Sequence, residues 1–324
     1  MGTLRQTIKD IIANVEQVVL DKSSVIKQVL AAFLGGGHVL LEDVPGVAKT
    51  MLVRALAVSS GCTFTRIQCT PDLLPSDVTG VSVYNQKAQE FEFRRGPVFT
   101  QVVLADEVNR ATPRTQSALL EAMSEGQVSA DGKTYRLLQP FAVFATQNPV
   151  EYEGTFPLPE AQLDRFMAKF SVGYPSILAE AEMLEKTRLA HPIDSLKAVT
   201  EPETILRMQA GIRQIFVHEK IRDYILRLVN RTRDSAHLRV GGSPRASMAL
   251  FRMAQAYAAV QGRSFVIPDD VKSLVDPVVE HRLILNPESR LRRVTTRSVL
   301  ANIVAETPVP AGGSDWGKEP RAGD

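Results

Sequence analysis

Lys49 and Thr50 close a turn-rich stretch, Leu41-Glu-Asp-Val-Pro-Gly46-Val-Ala-Lys49-Thr50, that follows a short apolar run and precedes a helical pattern. A strand, a loop and a helix N-terminus in that order turn backbone N–H groups toward an anion. On this reading Asp43, Val44, Pro45, Gly46, Val47, Ala48, Lys49, Thr50 and Met51 form a cradle for a phosphate chain. The strict pattern GxxxxGK[ST] is broken twice, because Asp43 stands at the first glycine and Ala48 at the second. Neither change abolishes the geometry: Asp adopts left-handed backbone more readily than most residues, and Ala adds only a methyl near the phosphate. Taken alone, the segment also reads as an ordinary strand-to-helix turn.

A second constellation decides between those readings. Val102-Val-Leu-Ala-Asp106-Glu107 is an apolar strand ending in two carboxylates. The first can hold Mg²⁺ and the second can polarise an attacking water. A lone acidic pair at a strand end is commonly a capping turn, but downstream of a Lys-Thr loop it points to a nucleotide. A third run, Phe141–Ala145, leads into Thr146-Gln147-Asn148 and brings an amide to the same edge. Ligands of open parallel sheets bind at the carboxyl ends of the strands.

These side chains need a sheet to carry them. His38–Glu42, Phe64–Ile67, Gln101–Ala105 and Phe141–Ala145 are apolar runs between helical patterns, one of them after Ser23-Ser24, which can cap the helix start, and ended by Gly35-Gly36-Gly37. The first half therefore reads as α/β, a P-loop αβα core with a largely parallel sheet. Two inserts, about 81–93 and 126–140, the second with Asp131-Gly132 as its turn, read as β-hairpins projecting from it. From Pro202 strands become hard to find. Ile205–Phe216, Ile221–Thr232, Pro244–Val260 and Asp269–Arg282 show helical spacing, so residues 200–307 form an all-α domain and residues 1–195 the core, with the boundary near Pro192–Pro202. The stretch 308–324 is rich in Pro and Gly and reads as a disordered tail in which Trp316 carries no signal.

The chain has 324 residues, 44% hydrophobic and 23% charged, which excludes a disordered or fibrous protein and predicts a soluble globular one. Lys+Arg 38 against Asp+Glu 36 leaves +2, too weak a balance to make nucleic acid the main ligand. Cys62 and Cys69 build neither a disulfide framework nor a zinc spacing, so a reducing, cytoplasmic setting is expected. The longest apolar run, Val29 to Leu41, is interrupted by glycines and too short to span a bilayer, which excludes stable membrane insertion.

With these elements assembled, the chain resembles the MoxR family of AAA+ ATPases along nearly its whole length. The resemblance rests on GHVLLEDVPGVAKT, TPDLLPSDVTG, RRGPVF, LADEVNRATPRTQSALLEAM, FATQNPVEYEGTFPLPEAQLDRF and GGSPRASMALFRMAQAY, in that order. It implies an αβα nucleotide-binding core with a helical lid, the two hairpins being the helix-2 and pre-sensor inserts. ATP and Mg²⁺ are the implied cofactors. Lys49 would neutralise phosphate charge, Thr50 and Asp106 would serve Mg²⁺, and Glu107 would be the base. Asn148 would orient the water as sensor 1, Arg165 would be the arginine finger reaching a neighbour's site, and Arg245 would be sensor 2 on the lid. A further departure is Asp21, where relatives often carry glycine near the adenine. The resemblance also implies a homo-oligomeric ring, a hexamer by analogy, that remodels or matures protein complexes in metal-cofactor insertion. A von Willebrand factor A domain partner, absent from this chain, would act in trans.

Two other functions compete. One is an AAA+ motor on nucleic acid, against which the near-neutral charge argues. The other is a nucleotide-gated binding module with little hydrolysis, for which Asp43 and Ala48 give the motive. Among the remaining charged and polar groups, Arg94-Arg95 and Arg290-Leu-Arg-Arg293 read as solvated faces, His38 as a packing histidine, and Gln116–Met123 as a core helix.

Overall fold

Successive residues of each central strand divide between two cores. Val39 and Leu41 face one cluster and Leu40 the other; Val102 and Leu104 alternate with Val103 and Ala105, and Ala142 and Phe144 with Val143 and Ala145. The runs are continuously apolar because both faces of the sheet are covered, as a parallel sheet flanked by helices requires.

In the computed structural model, which describes residues 2–149, 154–188, 190–311 and 316–317, the chain opens with α1 (Gly2–Glu16) and α2 (Ser23–Leu34). It continues through β1 (Val39–Glu42), α3 (Lys49–Ser59), β2 (Phe64–Gln68) and the short α4 (Pro75–Thr79). A first hairpin, β3 (Gly80–Asn85) and β4 (Glu90–Arg95), precedes β5 (Val102–Asp106) and α5 (Pro113–Glu125). A second hairpin, β6 (Gln127–Ala130) and β7 (Lys133–Arg136), leads to β8 (Ala142–Gln147), α6 (Glu160–Leu163) and β9 (Ala168–Phe170). The five long-range strands form one parallel sheet in the order β2-β5-β8-β1-β9, and each hairpin stands as its own antiparallel pair.

Helices follow: α7 (Ile177–Thr187), α8 (Pro192–Ser195), α9 (Pro202–Ile212), α10 (Glu219–Arg233), α11 (Pro244–Val260) and α12 (Pro268–Val279). The chain ends in α13 (Pro287–Leu291) and α14 (Thr296–Glu306). The expected boundary falls between α8 and α9, yet one hydrophobic cluster runs across it, because α2 packs on both α9 and α11.

Four expectations need correction. Ser23 and Ser24 do not cap α2, since both lie in its first turn with Lys22 at the cap position. The C-terminal half is not purely helical: β10 (Leu238–Val240) and β11 (Ile284–Leu285) form an antiparallel ladder too short to show any alternation. Helix α14 escaped the reading of periodicity, although Thr295 caps it by accepting from the Ser298 N–H at 3.0 Å. Finally, the tail is not structureless at Trp316, which is 8% exposed and stands edge-on to His218 with 5.7 Å between ring centroids. An indole buries enough apolar surface to hold a short segment down. Residues 312–315 and 318–324 of the expected tail lie outside the described residues.

No helix among the described residues is long and apolar enough to cross a membrane. Cys62 and Cys69 are free and buried, and burial pushes both thiols up to about 12.

Candidate functional site

The sheet order sets β1, β8 and β5 side by side, so the segments leaving their carboxyl ends meet. Between them opens a cavity of 310 Å³ lined by Pro45, Gly46, Ala48, Lys49, Thr50, Met51, Asp106, Glu107, Thr146, Gln147 and Asn148. Gly46 has φ +85° and Ala48 φ +62°, and Ala48 is the residue from which α3 springs. The loop thus takes the left-handed backbone a second glycine would supply. Lys49 Nζ lies on the loop's own carbonyls, donating to Asp43 and, at 3.1 Å, to Val44. Burial lowers its pKa, against the pull of Asp43, Asp106 and Glu107.

The remaining cradle residues contribute backbone rather than side chain. Val47 is buried in the core and Val44 packs against it. The Asp43 carboxylate turns away from the cavity, accepting from Val44 N–H at 2.9 Å, Ser171 Oγ at 2.8 Å and Gly173 N–H at 2.6 Å. Burial alone would raise its pKa; those donors outweigh it and hold the group below the usual carboxylate range. The side chains of Asp43, Val44 and Val47 are therefore anchors of the loop and not ligands in it. Asp21 has a similar explanation. Its φ of +59° is a left-handed conformation that glycine adopts without strain, and its carboxylate accepts from the Ser176 N–H at 3.2 Å.

Asp106 is 8% exposed and fully engaged. Thr146 Oγ donates to one oxygen at 2.6 Å, while Arg66 Nε and Nη2 donate to the other at 2.9 and 2.6 Å. Glu107 adopts φ +56°, its N–H donates to Thr146 Oγ at 2.8 Å, and its carboxylate accepts from Gln68 Nε2 at 2.9 Å and Arg110 at 3.3 Å. A non-glycine residue in that region costs energy that packing must hold. Arg66, Gln68, Arg110 and Thr146 were missed by motif reading. Arg66 and Gln68 were nevertheless visible as the alternate, polar positions of β2 around buried Ile67. The hydroxyl of Thr50 and the carboxylate of Asp106 are hard oxygen donors on one cavity, which fits Mg²⁺, an ion that takes few protein ligands beside phosphate and water.

Two expected residues are not part of this cavity. Arg165 and Arg245 line a separate one of 310 Å³ with Asp164, Met248, Arg252 and Arg282. Arg165 donates to the Leu120 carbonyl at 2.7 Å, and Arg245 lies 3.8 Å from Asp164. Asp164 also meets buried Arg282 at 3.0 Å and accepts from Ser243 Oγ at 3.0 Å, tying the segment before β9 to the helical half. Burial pulls Arg282 down to about 10 despite that carboxylate. The remaining readings hold. His38 packs on Phe141, α5 is a core helix, and Arg94, Arg95, Arg290 and Arg293 are exposed.

Comparison with known proteins agrees with this geometry. Residues 38–168 match the family model described as "ATPase family associated with various cellular activities (AAA)", and residues 230–303 match that of the AAA lid domain. YeaC of Bacillus subtilis, itself uncharacterized, is 50% identical over 92% of this chain and 93% of its own. Chaperone MoxR1 of Mycobacterium tuberculosis is 40% identical over 94% of this chain and 82% of its own. A crystal structure of a candidate ATPase from Cytophaga hutchinsonii superposes with a TM-score of 0.89 at 39% identity, covering 96% of this chain and 97% of that one.

Proposed function

Because the chain belongs to the MoxR family of AAA+ ATPases, we propose that it hydrolyses ATP at a site completed by a second copy of itself and spends the cycle on remodelling protein complexes. The observation that carries this is the meeting of Lys49, Thr50, Asp106, Glu107 and Asn148 on one cavity at the sheet's carboxyl edge.

The backbone of Gly46 to Thr50 binds the phosphates, and Lys49 leaves its loop carbonyls for the β/γ-phosphate oxygens. Thr50 and Asp106 would hold Mg²⁺, which when bound would supply charge neutralisation for the phosphate chain. Arg66 keeps Asp106 matched until then. Glu107 takes the proton of the attacking water, and Asn148 orients that water. No arginine of the same chain lines the cavity among the described residues, whereas Arg165 and Arg245 share a different face. Both would therefore act on a neighbour's nucleotide. Arg245 then works across the junction rather than by closing a lid over its own site.

The functional division is a core of residues 1–195 and a lid of 200–307, in a ring taken as a hexamer. Exposed Val81, Tyr84 and Phe91 on the first hairpin form an apolar surface suited to polypeptide, edged by charges of both signs, Glu90 and Glu92 with Arg94 and Arg95. A partner with a von Willebrand factor A domain in trans, metal-cofactor insertion and a cytoplasmic setting complete the reading. Steady-state turnover tests it: Glu107→Gln should lose about 100-fold or more in kcat while still binding ATP. Equal, near-zero rates in wild type and variant would sink the enzyme reading and leave a nucleotide-gated binding module.

A further inference from the structure

Helix α7 carries its apolar residues on the wrong side. Only Ala179 is buried, while Ile177, Leu178 and Leu184 are 86%, 84% and 71% exposed. Ile177, Ala181 and Leu184 fall at i, i+4 and i+7, one stripe along the solvent face, with Tyr174 beside its start. Glu180 and Glu185 flank that stripe. A contiguous exposed apolar stripe with a polar rim marks an interaction surface.

The start of α7 is tied to the phosphate loop. Ser176 caps the helix by accepting from the Ala179 N–H, its own N–H donates to Asp21, and Asp43 holds Ser171 and Gly173 just upstream. Elsewhere in the sequence, α10 and α11 leave a groove of 250 Å³ floored by Ile225 and Phe251, with Leu226 and Met248 43% and 53% exposed on its walls. Its rim is basic, formed by Arg222 and Arg252, and Arg252 has no ion-pair partner among the described residues. Met248 and Arg252 also line the cavity that holds Arg165 and Arg245.

We propose that copies of the chain join head to tail, with the α7 stripe of one copy seated in the α10/α11 groove of the next. The two surfaces match in character: an apolar stripe edged by carboxylates meets an apolar groove edged by guanidinium groups. The apolar residues supply the affinity and the charges set the register. The surfaces also match in what they bring with them, the phosphate loop beside one and the two arginines beside the other. Because they are different patches of the same chain, the contact is heterologous, the type that closes into rings. The proposal rests on the reading that a second copy completes the ATPase site.

The test is assembly in ATP, followed by sedimentation velocity on the full chain. Ile177→Asp with Leu184→Asp, and separately Leu226→Asp with Met248→Asp, should each raise the half-assembly concentration about tenfold or more. Both change exposed residues, so ATP affinity and melting temperature should stay at wild-type values. An equimolar mixture of the two variants should stop at dimers, since it retains one intact stripe and one intact groove. Reversing the rim, Arg222→Glu with Arg252→Glu, should break the ring, and adding Glu180→Arg with Glu185→Arg to the same chain should restore it. Variants that fold, bind ATP and assemble like wild type would overturn this junction while leaving the ATPase reading standing. A mixture that forms no dimer would overturn the junction as well. A wild-type chain that stays monomeric and inert in ATP would instead overturn the underlying reading and the junction with it.

Discussion

His38 spends both ring nitrogens on backbone: Nε2 donates to the Met123 carbonyl at 2.9 Å and Nδ1 accepts from the Val143 N–H at 3.0 Å. It thereby links β1, α5 and β8, the elements that bracket the cavity. The arrangement needs the neutral ring, because a proton on Nδ1 would turn an acceptor toward a donor. Burial pushes its pKa down to about 4, only partly opposed by the Met123 bond, and burial with the Arg282 charge holds His281 well below 6.5. Both groups bind protons more readily in the unfolded chain, so their contribution is complete above about pH 6.5 and is lost as pH falls toward 4. For His38 alone the loss at pH 5 comes to about 2 kcal/mol. Thermal unfolding between pH 7 and 5 should show Tm falling in wild type and falling less in His38→Gln, whose amide offers one donor and one acceptor. Parallel slopes would remove His38 as a source of the pH dependence.

At the scale of elements, the N-terminus of α3 is where sequence and structure part most instructively. Ala48 occupies φ +62°, a conformation that costs an L residue about 1–2 kcal/mol and glycine nothing. Ala48→Gly should therefore stabilise the chain by about 0.5–1 kcal/mol after the entropy glycine returns to the unfolded state, visible as a higher Tm with ATP binding retained. A lower Tm would mean that the Ala48 methyl packs to advantage. The loop was legible because Lys49, Thr50 and the flanking apolar runs are local signals. So were both hairpins, with Asp131-Gly132 placed between β6 and β7, and helix α11, whose bounds Pro244 and Val260 its periodicity marks. The role of the Asp43 carboxylate was not legible, because its partners Ser171 and Gly173 lie some 130 positions away and only the β1–β9 pairing brings them together. The same applies to Arg66 on Asp106, which depends on the β2–β5 register, Gln68 opposite Asp106. Short pieces such as β10 and β11 fail for another reason, since two or three residues carry no period.

For the whole molecule, the separation of Arg165 and Arg245 from the Lys49 cavity converts a list of motif residues into a statement about copies. Lys49 and Thr50 line one cavity of the chain, and Arg165 and Arg245 line another. Asp164, next to Arg165, ties Arg245, Ser243 and buried Arg282 into one cluster, so the finger and the lid arginine would move as a unit with the junction. Arg165→Ala should then lose turnover while keeping ATP binding, and Lys49→Ala should lose both. Mixed in equal amounts, the two dead variants regain activity wherever an Arg165→Ala chain, with its intact Lys49, faces a Lys49→Ala chain, with its intact Arg165. With random placement in a head-to-tail ring that is about one junction in four, so roughly a quarter of wild-type turnover should return. Substituting Arg245→Ala for Arg165→Ala in the mixture should give the same recovery, because both arginines sit on the donating side. Recovery with Arg165→Ala but none with Arg245→Ala would return Arg245 to its own chain's nucleotide. An absence of recovery in both mixtures, with ring mass intact, would contradict completion of the site by a neighbour.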